Sequence, residues 1–242
     1  MSTYEISVYV SRELYDYGDQ NYNDGYQAQK RAATFIDGAF NLTSHSVDLV
    51  TPNDKIPAPV ESSHTQFDAT CPCGSGSTTC TYDQLVFWWK RYNDCSSTYT
   101  ADDCNLLLTS TSATDGGYAN DQPGQWGHAQ TGRHICDLSS SYEWAGKKSE
   151  HDAMHTALEE IGHNLLKSPS TVDGDNDGDG SHDCGQPYNY NSNFYAISPM
   201  GVNDKELDYD GGTNDCNESW NYDPTGWALR WSYCCYNQWK ST

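Results

Sequence analysis

Three residues on neighbouring turns of one predicted helix have the types and spacing of a catalytic metal site. Glu159, Glu160 and His163 give the order ligand, acid, two spacers, ligand, which is the H-E-x-x-H arrangement with Glu in the first place. Residues four apart lie on adjacent turns of one helix face, so a single zinc ion can bind both Glu159 and His163. Glu160 would then act as the general base toward a water molecule. The spacing predicts zinc-dependent hydrolysis.

The helix that must position these residues is predicted over 149–166. Ser149 and Asp152 form a capping-box pair ahead of an amphipathic run. At 100° per residue, one face is expected to be core and carries Met154, Leu158, Ile161 and Leu165. The opposite, titratable face carries His151, His155, Glu159 and His163.

A second metal-binding pair is open on the same helix. His151 and His155 bracket Asp152 and Ala153 at the same spacing of four. Three ligands on successive turns would span about 12 Å, which is too far for one ion, so only one pair can serve. Asp152 has a shorter reach than Glu160, and a third ligand is harder to supply near it. We therefore favour Glu159 and His163.

A loop after the helix has the pattern of a calcium site. Its spacing is D-x-D-x-D-G-x-x-D, formed by Asp175, Asp177, Asp179, Gly180 and Asp183. Alternate carboxylates of this kind converge on one hard cation. The alternative is a solvated acidic turn, but carboxylates this close repel one another unless a cation neutralises them.

Charge and cysteine content bound the class of protein. The 242 residues carry 34 Asp and Glu against 13 Lys and Arg, for a formal net charge of −21, so nucleic acid and anionic membranes are excluded as partners. Ten cysteines without zinc-ribbon spacing indicate disulfides and a secreted, extracellular protein. No apolar run reaches the ~18 residues that a membrane span needs, and no signal pattern opens the chain. We expect a mature domain with Met1 as an expression start.

Strands and helices alternate along the chain, which predicts one domain with an α/β layer structure. Strands are predicted over 4–10, with one buried face, over 46–50 and over 105–109, and an exposed edge strand is expected to begin near 116–119. Helices are predicted over 26–40 and 82–92, whereas 61–80 and 120–133 are expected to be loops, the first stapled by Cys71, Cys73 and Cys80.

Several segments resemble the metzincin zinc endopeptidases. Residues 156–166, Thr-Ala-Leu-Glu-Glu-Ile-Gly-His-Asn-Leu-Leu, are similar to the metzincin active-site helix except at Glu159. Residues 195–201, Tyr-Ala-Ile-Ser-Pro-Met-Gly, resemble the Met-turn that lies beneath the metal, with Met200 as its methionine. Residues 105–109, 116–119 and 135–137 resemble the strand regions of the adamalysin (reprolysin) branch.

The resemblance implies a third ligand and a fold. His182, in Ser181-His182-Asp183-Cys184, resembles the family's terminal His-Asp pair displaced by the inserted loop. Its possible substitutes are His128, His134, His151 and His155. The implied fold is a twisted, mixed, mostly parallel sheet packed with helices. Residues 1–166 would form the N-terminal subdomain of one catalytic domain, and 167–242 a small irregular C-terminal subdomain.

The resemblance also implies how substrate binds and one disulfide. The substrate would add a strand at the edge formed by Gly117, Tyr118 and Ala119. Cys136 would pair with Cys234 or Cys235.

These observations predict a secreted, monomeric zinc endopeptidase that acts on protein or peptide substrates and binds Zn²⁺ and Ca²⁺. An anionic first ligand lowers the effective charge of the metal, so weakened activity is expected from Glu159. One alternative is a catalytically silent metzincin fold that serves as an extracellular binding module. The other is a calcium-stabilised structural protein.

Overall fold

A computed structural model describes residues 2–61, 66–74, 77–120, 124–167, 184–185, 187–191, 194–200 and 225–241. The chain forms a mixed α/β structure. A mostly parallel sheet lies at its centre, helices pack on both faces of that sheet, and a smaller sheet is formed largely by strands from the last quarter of the chain.

The main sheet has the strand order β2-β1-β6-β8-β7, with β3 also paired to β1. All of its pairings are parallel except that of β7 with β8, which places one antiparallel strand at the edge. Its strands are β1 (Thr3–Ser11), β2 (Ser46–Val50), β3 (Lys55–Ile56), β6 (Cys104–Leu108), β7 (Ser112–Asn120) and β8 (Trp126–Thr131). A separate hairpin consists of β4 (Phe67–Thr70) and β5 (Thr79–Tyr82).

Helices cover both faces of this sheet. They are α1 (Arg12–Tyr22), α2 (Gln27–Phe40), α3 (Leu85–Cys95), α4 (Ser149–Leu165) and α5 (Tyr233–Asn237), with a 3-10 helix over Arg133–Asp137. One core lies between the sheet and the side of α1, α2 and α4. The other lies on the side of α3 and is built around Trp89, Tyr9 and Leu107.

The central strand β1 is buried on both faces, not on one face as predicted. Ile6, Val8 and Val10 pack into the core that contains α2 and α4, whereas Tyr9 packs into the core that contains α3. Even Ser7 is fully buried, where its hydroxyl donates to Asn105 Oδ1 at 2.7 Å. Helices on both faces remove solvent from a central parallel strand, so alternation does not mark a wet face there.

The smaller sheet has the order β10-β11-β12-β9. Its strands are β9 (Ala145–Gly146), β10 (Pro187–Asn191), β11 (Phe194–Ile197) and β12 (Gly226–Ala228). Because β9 directly precedes α4 and β11 leads to Met200, this sheet connects the beginning of α4 to the segment that contains Met200.

Most predicted elements are confirmed, but three segments differ. Residues 61–80 were expected to be a loop, yet they contain β4 and the first residues of β5, which pair as a hairpin. Residues 120–133 were also expected to be a loop, yet they contain β8, every residue of which is buried between β6 and β7. Helix α1 was not predicted, and its N-cap is Ser11, whose hydroxyl accepts a hydrogen bond from the Leu14 amide at 3.2 Å. All three segments are rich in polar or small residues, so none shows clear apolar periodicity.

The disulfides staple two regions. Cys71 pairs with Cys80, Cys73 with Cys95 and Cys184 with Cys235. The expected pairing of Cys136 with Cys234 or Cys235 is wrong. Cys235 is bonded to Cys184, Cys234 is itself disulfide-bonded, and Cys136 is a free thiol buried in the 3-10 helix beside α2. Within the described ranges, no helix is both long and apolar enough to cross a bilayer.

Candidate metal centre

Helix α4, which carries the predicted zinc ligands, is buried on more of its circumference than its sequence indicates. Met154, Leu158, Ile161 and Leu165 are fully buried, as predicted. The expected polar face is also covered, because His151, His155 and His163 are each less than a tenth exposed. The predicted capping box is wrong: Lys148 is the N-cap, without a side-chain cap, and Ser149 is the first helical residue. The smaller sheet and β8 cover both flanks of the helix.

Glu159 and His163 are brought together as predicted. His163 Nε2 lies 4.0 Å from Glu159 Oε1 across one helical turn. The His163 side chain is a tenth exposed and that of Glu159 about a quarter exposed. The pair is therefore partly buried, and its carboxylate is still in contact with solvent.

Glu160 is the most unusual carboxylate of the helix. It is 3 % exposed, and its Oε2 has no hydrogen-bond partner among the residues that the structure describes. Burial raises the pKa of Glu160 well above its ordinary value, and the negative charge of Glu159 raises it further. A buried carboxylate in this state holds a proton more readily than one in water, which suits a group that accepts and returns protons.

Strand β8 sets the depth at which Glu160 lies. A methyl group on Gly127 would lie 3.5 Å from the Glu160 Cβ and 3.2 Å from the Asn164 amide nitrogen. Asn164 is fully buried, and its amide donates to the Glu160 carbonyl at 3.0 Å and contacts Cys104 Sγ at 3.5 Å. Close approach of helix and strand at Gly127 thus holds the second half of α4 against the sheet.

The turn that contains Met200 lies directly beneath α4. Met200 is fully buried with a backbone φ of 68°, in the left-handed region. A methyl group on Gly162 would come within 2.6 Å of the Met200 sulfur. Trp231 Nε1 donates to the Leu158 carbonyl at 3.2 Å from the same side. Gly162 therefore lets the helix sit on Met200, one residue before His163.

The alternative pair, His151 and His155, faces the smaller sheet. The His151 ring packs on Gly146, and the His155 ring lies 5.0 Å from the ring of Trp227. Burial lowers the pKa of both histidines below the ordinary value of 6.5. The charge of Glu159 and the backbone of Ser198 oppose the shift at His155.

The predicted substrate-binding segment is in the edge strand β7. In its pairing with β8, Gly117 is opposite Ala129, Tyr118 opposite His128 and Ala119 opposite Gly127. Helix α4 packs on β7 as well as on β8. Since Gly127 lies against Glu160, the Ala119 end of the edge strand is next to the predicted general base.

The remaining predicted ligands lie outside the described residues. These are the third zinc ligand, His182, and the calcium carboxylates Asp175, Asp177, Asp179 and Asp183. Among the residues that are described, no group of three or more His, Cys, Asp or Glu side chains is arranged to hold a metal ion. Of the possible substitutes, His128 is fully buried with its Nε2 2.9 Å from the Thr109 hydroxyl, and His134 is exposed in the 3-10 helix.

Asp152 was predicted only as half of a capping box, but it shares a face of α4 with Glu159. It lies seven residues before Glu159 and is half-buried. Burial raises the pKa of Asp152, and the nearby His155 and His134 oppose that shift. The i, i+7 spacing with Glu159 is the sequence signal that would have found it.

No protein-family model matches the chain, and a search of curated proteins finds no match to it. The chemistry of this centre therefore has to follow from its own geometry.

Proposed function

We propose that the chain is a secreted zinc endopeptidase of the metzincin type, closest to the adamalysin branch. Glu159, His163 and His182 would hold the zinc, and Glu160 would be the general base. One observation carries the proposal. A carboxylate and an imidazole lie 4.0 Å apart on adjacent turns, and the buried Glu160 carboxylate beside them has an oxygen that no described residue hydrogen-bonds.

The donor pair fits a zinc ion. Two bonds of about 2.1 Å at a tetrahedral angle place their donor atoms about 3.4 Å apart. The observed 4.0 Å between Glu159 Oε1 and His163 Nε2 closes to that separation by a small side-chain rotation. A third ligand from His182 would leave one position open, which hydrolytic zinc sites require.

The chemistry is peptide hydrolysis. Zinc in this set would supply a Lewis acid for the peptide carbonyl and the attacking water. Glu160 would take a proton from the attacking water at Oε2, which no described residue hydrogen-bonds. The water oxygen would then bond to the carbonyl carbon, the C–N bond would break, and Glu160 would return the proton to the departing amine nitrogen. Its burial excludes bulk solvent, which would otherwise compete for the proton.

The surroundings of α4 support the same assignment. A single antiparallel strand, β7, closes the edge of a mostly parallel sheet and runs beside the helix. A buried methionine turn supports the helix from below at Gly162. A peptide that pairs with β7 near Gly117–Ala119 would pass close to Glu159 and Glu160. The disulfides are consistent with an oxidising, extracellular setting.

The test combines metal analysis with cleavage of a quenched-fluorescent peptide pool. We expect one zinc ion per chain and metal-dependent cleavage. Glu160→Gln should keep the zinc and lose about 10²-fold or more of the activity, because only the proton carrier is removed. Glu159→His, which would supply a second imidazole ligand, should bind zinc and cleave the peptides faster than the unsubstituted chain. Glu150→Gln is the matched control, because Glu150 is on the same helix but pairs with Lys148 at 3.3 Å.

The outcomes separate the alternatives. Stoichiometric zinc without cleavage under any salt or calcium condition would indicate a silent binding module. Calcium without zinc would indicate a structural protein. Full cleavage by Glu160→Gln would remove Glu160 from the mechanism.

A further inference from the structure

The end of α2 presents a glycosylation sequon to solvent. Asn41, Leu42 and Thr43 form Asn-x-Ser/Thr with a residue other than proline in the middle, which is the acceptor sequence for N-linked glycans. Asn41 is the C-cap of α2, directly after the last helical residue, Phe40. Both Asn41 and Leu42 are exposed in the turn that leads from α2 to β2. The sequon therefore lies on the surface, where a bulky glycan can be accommodated.

The acceptor nitrogen of Asn41 is accessible. Its Nδ2 donates to Asp37 Oδ2 at 3.1 Å, and both side chains are exposed. An amide nitrogen has two hydrogens, so one can stay in this hydrogen bond while a sugar replaces the other. The turn itself is held by Thr43, whose hydroxyl donates to the Phe40 carbonyl at 2.9 Å and accepts from the His45 amide at 3.0 Å. Glycosylation of Asn41 therefore leaves the contacts that fix the turn in place.

An exposed apolar patch adjoins the sequon. Leu42 is 44 % exposed, and Tyr233, the first residue of α5, is 59 % exposed. His45 connects the two, because its Nε2 lies 3.0 Å from the Tyr236 carbonyl and the Tyr236 ring packs on the Tyr233 ring with centroids 5.4 Å apart. Adjoining apolar side chains that remain in water indicate a surface that something else covers. Sugar rings have apolar C–H faces and polar hydroxyl edges, which match the apolar ring and polar tip of a tyrosine.

We propose that Asn41 carries an N-linked glycan, the first sugars of which cover the patch formed by Leu42 and Tyr233. The inference rests on the secretion included in the proposed function and is independent of zinc. The donor is a lipid-linked oligosaccharide diphosphate. Asn41 Nδ2 bonds to the anomeric carbon of the donor sugar while the bond from that carbon to the phosphate oxygen breaks. The amide gives up one proton, and the lipid diphosphate leaves.

The experiment locates the glycan by mass. The full chain is secreted from cultured animal cells behind a cleavable signal peptide, with Asn217→Gln present so that one Asn-x-Ser/Thr sequence remains. Peptide N-glycosidase in heavy-oxygen water converts a glycosylated asparagine to a tagged aspartate, which mass spectrometry of the fragment detects. Asn41→Gln and Thr43→Ala destroy the sequon, whereas Thr43→Ser keeps it. Asn23→Gln is the matched control, because Asn23 is the exposed C-cap of α1 and is in no sequon.

A tag on Asn41 is expected in the parent chain, in Thr43→Ser and in Asn23→Gln. It should be lost from Thr43→Ala, and Asn41→Gln should yield no tagged fragment. The culture medium and the cell membranes are both analysed, so that chain retained in the cell is scored as well. An untagged Asn41 in the parent chain, or a tag that survives Thr43→Ala, would overturn the inference.

Hydroxyl-radical labelling tests whether the glycan covers the patch. Removal of the glycan from the folded chain should increase the labelling of Leu42 and Tyr233. Tyr190, which is 45 % exposed on the smaller sheet, should be labelled equally before and after removal. Unchanged labelling of Leu42 and Tyr233 would overturn the covering role. Peptide cleavage without a glycan would reject this inference alone, and a glycosylated chain with neither zinc nor cleavage would reject the peptidase alone.

Discussion

Glu159 is the residue at which this centre departs from two imidazole ligands. In the proposed zinc site its carboxylate would add a negative charge beside the ion, which would lower the ion's ability to acidify water. The same charge raises the pKa of the adjacent Glu160. A base with a raised pKa is stronger, so the second effect opposes the first.

His151 makes stability depend on pH. Burial lowers its pKa below the ordinary 6.5, so in mildly acidic solution the unfolded chain binds a proton that the folded chain excludes. Stability is therefore expected to fall as the pH drops from about 6.5 toward the folded-state pKa. His151→Gln should lose less free energy of unfolding between pH 7.5 and pH 5.5 than the wild type, as measured by urea denaturation.

The control for this experiment is His134→Gln, an exposed histidine in the 3-10 helix. It should keep the wild-type pH dependence. If His151→Gln is as acid-sensitive as the wild type, His151 is not the group responsible, and His155 becomes the candidate to substitute next.

Spacing alone predicted which residues of the centre meet. Glu159 and His163 are four apart, and helical geometry needs nothing more to place them on one face. Their burial was not predictable, because it comes from the smaller sheet and β8, which are distant in sequence. The capping role predicted for Asp152 was wrong, because the helix begins at Ser149 with Lys148 as its N-cap.

At the scale of elements, periodicity succeeded where it was long. Helix α4 has an apolar repeat over four turns and was predicted to within a residue of its observed bounds. Strand β8 reads Trp-Gly-His-Ala-Gln-Thr, in which burial comes from its neighbours β6 and β7 and not from apolar side chains. Helix α1 rests on its Ser11 cap and a single fully buried leucine, Leu14.

The contact between α4 and the Met200 turn is expected to be intolerant of a single methyl group. Gly162→Ala would place a carbon 2.6 Å from Met200 Sδ and 2.9 Å from its Cγ. We expect this substitution to lower the free energy of unfolding by about 1–3 kcal/mol, although alanine favours helix by about 1 kcal/mol. Urea denaturation measures the loss.

Thr156→Ala is the matched control, because Thr156 is a half-exposed residue of the same helix. It should change stability by less than about 0.5 kcal/mol. A stabilised Gly162→Ala variant would show that helix propensity outweighs the contact, and that Met200 is free to move.

At the scale of the whole molecule, the disulfides differ in what they hold. Cys184–Cys235 spans 51 residues, is fully buried and ties the segment before β10 to α5. Cys71–Cys80 spans 9 residues at the end of the β4–β5 hairpin. Loop entropy predicts a loss of about 4 kcal/mol for Cys184→Ala/Cys235→Ala and about 3 kcal/mol for Cys71→Ala/Cys80→Ala. Urea denaturation compares the two pairs.

Under the proposed function, peptide cleavage gives this comparison a second measurement. The Cys184–Cys235 pair adjoins the segment that would supply His182, so its removal should also reduce cleavage, whereas removal of the hairpin disulfide should not. A hairpin variant that loses more stability or activity than the other pair would contradict this assignment.

Among the described residues, the free thiols Cys104 and Cys136 can report local opening of the structure. Cys104 is at the start of β6, and Cys136 is in the 3-10 helix beside α2. Burial raises the pKa of each to about 12, so neither forms a reactive thiolate while its surroundings stay closed. Alkylation of either sulfur therefore records a transient opening. Mass spectrometry of the two tryptic fragments would measure the opening rates at the sheet and at the 3-10 helix separately, without any engineered label.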